Sequence, residues 1–71
     1  MVKINGINYN YYVEAEKVVA IIEWDGENDG GKEANLDIYF GENAAPLFVS
    51  CKDDETRKAV IEEIQKIKGG K

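Results

Sequence analysis

The stretch "EKVVAIIEWDGENDGGKEANLDIYF", residues 16–40, decides the fold. Its two ends alternate in different ways and its middle is polar. "EKVVAIIEW", residues 16–24, is rich in β-branched residues and reads as a strand. Val18, Ala20, Ile22 and Trp24 fall on one face, with Val19 and Ile21 on the other, followed by Glu23. "ANLDIYF", residues 34–40, alternates cleanly: Leu36, Ile38 and Phe40 on one face, Asn35, Asp37 and Tyr39 on the other. Between them lies "DGENDGGKE", residues 25–33, which begins like a calcium loop. A loop of the EF-hand kind needs oxygen ligands at alternate positions, Gly at 6 and a bidentate Glu at 12. Counting from Asp25, Asp29 falls at 5 and Gly30 at 6, but position 12 is Leu36, which cannot ligate a hard cation. Its flanks read as strands rather than helices. A long, solvated hairpin loop is therefore expected, with no metal site.

Outward from this hairpin, "INGINYNYYV", residues 4–13, has a period of two. Ile7, Tyr9, Tyr11 and Val13 point one way, and Asn8, Asn10 and Tyr12 the other. Asn5-Gly6 is a turn signal, so residues 2–5 form a short first strand or a lead-in. On the other side, "GENAAP", residues 41–46, reads as a loop. "LFVSC", residues 47–51, reads as a further strand with Leu47, Val49 and Cys51 inward, or Phe48 and Ser50 in the flipped register. From residue 53 the period changes to 3.6. Val60, Ile64 and Ile67, flanked by Ile61, make one apolar helical stripe. Asp53 or Asp54 caps its start, Lys66 and Lys68 suit its end, and Gly69 is placed for a left-handed stop. Residues 69–71 are expected to fray. The expected architecture is α+β: one domain over residues 1–71, an antiparallel four-stranded meander with one C-terminal helix packed on one face.

Composition narrows the chemistry. The chain has 71 residues, no His and one Cys. Within one chain that excludes a disulfide, a Cys/His zinc site and a Ser-His or Cys-His nucleophile pair. Cys51 reads as a small, half-buried strand residue. Paired acids such as Glu62 and Glu63, or Asp53 and Asp54, point different ways on a helix and read as solvated. No catalytic residue, metal ligand or cofactor is expected, and the protein is not expected to be an enzyme. The start, "MVKINGINYN", lacks a charged-then-apolar layout, and the longest apolar run, "VVAII", is far too short to span a bilayer. A cytoplasmic protein with no membrane insertion is expected. The net charge is −5, and residues 14–42 carry nine acids against two lysines. That acidity argues against nucleic acid as a partner.

The layout resembles a known family. "MVKI" is followed by "NG", then "YVEAEKVVAIIE" at residues 12–23, an acidic loop, "LDIYFG" at 36–41, "LFVSC", and a helix ending in "VIEEIQKI" at 60–67. This is similar to the small bacterial flagellar-operon proteins of the FlbD type. The chain departs from them in its longer acidic loop at 25–33 and in "GENAAP". The resemblance implies an accessory, non-enzymatic role in a bacterial protein and carries over no site residue.

The order of strands and helix is also similar to PC4-like single-strand-binding domains, whose basic strand residues are mostly missing here. The expected function is a non-catalytic protein-interaction or accessory module that self-associates as a homodimer. The alternative is a single-stranded nucleic-acid binder stacking bases on Tyr9, Tyr11 and Tyr12. One helix stripe covers only one sheet face, so the candidate contact surface comprises Tyr9, Tyr11, Tyr12, Val19, Ile21 and Trp24.

Overall fold

The computed structural model describes residues 1–28, 31–41 and 43–69. Five strands and one long helix are present among them. Strands β1 (Val2–Asn5) and β2 (Asn10–Val13) form one antiparallel hairpin. After a single 3-10 turn over Ala15–Lys17, strands β3 (Ala20–Asn28), β4 (Gly31–Tyr39) and β5 (Leu47–Cys51) form a three-stranded antiparallel sheet in that order. Helix α1 (Asp54–Gly69) closes the chain. The α+β class and the C-terminal helix are as expected. The four-stranded meander is not: the described residues form five strands in two sheets.

The first correction lies at residues 4–13. This stretch is not one strand but the turn and second arm of a hairpin. Gly6 N–H donates to the Tyr9 carbonyl at 2.9 Å, closing the turn. A Cβ at Gly6 would sit 2.7 Å from that same oxygen, so only glycine fits there. Ile7 N–H donates to the Ser50 carbonyl and Gly6 bridges Cys51, which ties the hairpin to the free side of β5.

The second correction concerns residues 25–33. The β3–β4 ladder does not stop at Trp24 but runs on through Asp25↔Ala34 and Glu27↔Lys32 to Asn28↔Gly31. The long loop is therefore mostly paired strand. Asp29 and Gly30, which the calcium count places at positions 5 and 6, lie outside the described residues, as do Glu42, Gly70 and Lys71.

The third correction is to the faces of β3. The register sets Ile21 opposite Ile38 and Glu23 opposite Leu36, so this set faces the helix with the core residues of β4. Ala20, Ile22 and Trp24 take the other side. Val18 is buried ahead of the strand, in the turn region. On β4 and β5 the expected faces hold: Leu36, Ile38, Val49 and Cys51 are buried.

The core lies between α1 and the two sheets, where Val2, Ile4, Val13, Leu36, Ile38, Val49, Val60 and Ile64 pack as one cluster. Ile67, expected on the same stripe, is 43% exposed. Gly69 is the last helical residue and is not left-handed. Asp53 caps the helix: its Oδ1 accepts the Thr56 N–H at 2.8 Å. At the far end Lys68 Nζ donates to the Val18 carbonyl at 2.7 Å.

Arg57 continues the inward stripe of α1 and is only 6% exposed. Its Nη1 donates to the Trp24 carbonyl and to Asp25 Oδ1, both at 2.9 Å, and its Nη2 donates to Asp54. Its Nε makes no hydrogen bond, but Glu23 Oε2 lies 3.4 Å away, an ion-pair distance. Burial works against the charge; the bonds to Asp25 and Asp54 outweigh it and hold the pKa above its ordinary value. Glu23 and Asp25 can thus occupy the inner side of β3, with the guanidinium in place of a hydrocarbon partner. No helix among the described residues is long and apolar enough to cross a membrane.

Candidate interaction surface

The face of the three-stranded sheet turned away from α1 is built from alternate residues of each strand. Strand β3 contributes Ala20, Ile22 and Trp24. Strand β4 contributes Glu33, Asn35, Asp37 and Tyr39, and β5 contributes Phe48 and Ser50. The register arranges them in rows. Ile22, Asp37 and Phe48 form one row across the sheet, and Trp24, Asn35 and Ser50 form the next. Ile22 is 48% exposed, Trp24 47% and Phe48 64%. Three large apolar side chains on adjacent rows of one face are more than the scattered exposure a small domain normally shows.

The polar residues between them are held in place. Trp24 Nε1 donates to Asp37 Oδ1 at 3.0 Å, which fixes the indole diagonally across the rows. Ser50 Oγ donates to Asn35 Oδ1 at 2.8 Å, and Asn35 is buried beneath its neighbours. Gly26 makes room for this: a Cβ there would stand 2.7 Å from Asn35 Nδ2. The result is a shallow cleft of about 240 Å3 over β4, lined by Trp24, Glu33, Asn35, Asp37, Phe48, Val49 and Ser50. The lining holds two carboxylates and no Lys or Arg.

The residues expected from sequence to form a contact surface separate in space. Trp24 and Val19 are exposed, with Val19 N–H donating to the Tyr39 carbonyl just ahead of β3. Ile21 is half-buried and packs against the core, so it does not share a surface with Trp24. Tyr9 and Tyr12 are exposed on the β1–β2 hairpin, while Tyr11 packs against the core. Tyr9 and Tyr11 meet edge to face, with centroids 6.4 Å apart. Sequence reasoning did not select Ile22, Asp37 or Phe48. Ile22 shares the alternation of Trp24, and Phe48 belongs to the flipped register of β5, so the pattern held both; what it lacked was which side the helix covers.

Elsewhere, Cys51 is a buried free thiol, its pKa pushed up by burial and drawn back only in part by Arg57. Among the described residues no group of three or more Cys, Asp or Glu side chains is placed to hold a metal ion. The chain matches no family model, no curated protein and no solved structure.

Proposed function

We propose that this protein is a non-catalytic interaction module and that its working surface is the open face of the β3–β4–β5 sheet. The observation that carries this reading is the joint exposure of Ile22, Trp24 and Phe48 on the face opposite the helix. Covering them would contribute roughly 1–2 kcal/mol each, since about half of each side chain is already hidden. An accessory role, as the FlbD-type resemblance implies, fits this reading.

The test separates a docking face from a structural one. Ile22→Thr and Phe48→Thr place a β-branched, strand-forming side chain at each position and remove the apolar surface. Together they are expected to leave the thermal midpoint within a few degrees of the parent. They are also expected to abolish the binding of an uncharged, environment-sensitive apolar dye. A midpoint that collapses would place both residues in the folded core's service and remove the docking reading.

The exposed Tyr9 and Tyr12 favour the alternative, base stacking on the β1–β2 hairpin. A labelled single-stranded oligonucleotide decides it. No binding is expected near physiological salt, because the neighbouring hairpin is acidic.

A further inference from the structure

We propose, resting on that reading, that the occupant of the open face is a basic, apolar-bearing segment of a different protein. Charge complementarity carries the choice. The β3–β4 segment, residues 20–39, holds six carboxylates against one lysine, a balance of −5 that equals the net charge of the whole chain. Part of that charge is already answered: Asp25 and Glu23 are engaged by Arg57 on the helix side. On the open side, Asp37 stands at the centre of the face, between Ile22 and Phe48 in its row. Its partner there is the neutral indole N–H of Trp24, which holds the carboxylate in place without cancelling its charge.

A fixed carboxylate between three exposed apolar side chains suits a ligand with the opposite charge and similar apolarity. A lysine or arginine side chain offers both: an aliphatic stem to lie against Phe48 and Ile22, and a cationic head to reach Asp37 beside the Trp24 ring. A second copy of this chain would bring another Asp37 and another acidic hairpin. A nucleic acid would bring phosphates. Both are the wrong sign.

Trp24 is the single tryptophan and lies in the cleft, so its fluorescence reports directly on this surface. The probe is a short synthetic peptide of interspersed lysine and leucine, compared with the same peptide carrying glutamate for lysine. The lysine peptide is expected to give a saturable change that weakens as salt rises, and the glutamate peptide none. Asp37→Asn keeps an oxygen to accept the indole N–H and removes the charge; Phe48→Ser keeps the charge and removes the apolar wall. Each is expected to weaken binding roughly ten-fold, as loss of a central contact does. Circular dichroism and the thermal midpoint establish that both variants are folded. Equal binding to wild type and Phe48→Ser would reduce the effect to diffuse charge attraction and overturn the proposal. Sedimentation of the wild type as a low-salt dimer that Phe48→Ser abolishes would also overturn it, while leaving the face a docking surface.

Discussion

Arg57 sits where the helix stripe calls for a hydrocarbon, three residues before Val60. Its guanidinium meets a backbone carbonyl and two carboxylates in different directions, which suits a planar fork and not a point charge. Arg57→Met should therefore lower stability by about 2–3 kcal/mol. The loss is of charge-assisted hydrogen bonds, moderated because the stranded acids are about half exposed and can return to water. Arg57→Lys should recover little of it. Urea midpoints of the two variants check this, and a lysine variant as stable as the parent would show that charge alone matters. The residue was legible in part. The spacing 57, 60, 64 places it on the apolar side, but an arginine there reads as solvated until its partners are seen. Those partners, Asp25 and Glu23, are thirty or more positions away, and nothing local in the sequence joins them.

At the scale of elements, the helix was the most legible and the β3–β4 hairpin the least. Period, cap and end charges of α1 agree with one another, so the sequence marks it several times over. Ile64 is 1% exposed, and Ile64→Ala should cost roughly 2–5 kcal/mol. For so small a domain that is most of its stability, so an unchanged denaturant midpoint would mean that the packed face is a different one. The cap adds a pH dependence. The Thr56 side chain and then its backbone N–H hold the Asp53 carboxyl below the usual range. A lowered pKa means that the charged form is favoured in the folded state. The cap's contribution is thus full above the ordinary carboxylate range and is lost as pH falls through the lowered value. Thermal midpoints of the parent and Asp53→Ala should accordingly differ at neutral pH and converge in acid. The hairpin misled because Asp, Asn and Gly are cheap turn residues, and six of them stand between residues 25 and 31. Strand pairing with β4 overrides that local preference. The informative signal was narrower: an Asp-Gly pair, residues 29 and 30, with strands running into it from both sides.

The whole molecule shows what sequence periodicity cannot settle, namely which face of a two-sided strand the single helix covers. Both faces of β3 are partly apolar, and Glu23 beside Ile21 makes the inner one look like the outer. The long-range Arg57 contacts decide it, and Ile21 gives way to Ile22 and Phe48, which join the expected Trp24 on the exposed surface. That move changes the expectation for self-association. In an isologous contact centred on β4, two Asp37 carboxylates about 6 Å apart would repel by roughly 3 kcal/mol at an effective dielectric constant of about 20. That offsets the covering of about two of the six apolar side chains that the two copies would bring together, and association costs several kcal/mol more in lost freedom. Two copies should therefore stay apart at low ionic strength and begin to associate when salt screens the repulsion, the reverse of a basic peptide's response. Sedimentation equilibrium should give a monomer in dilute buffer and a rising apparent mass in concentrated salt. Ile22→Glu should stay monomeric in both while remaining folded, because its side chain is at the surface. Ile21→Glu should instead unfold the domain, since a carboxylate there faces the core without a cation of its own. A dimer that is strongest in dilute buffer, or one that survives Ile22→Glu, would place the self-contact on another surface altogether.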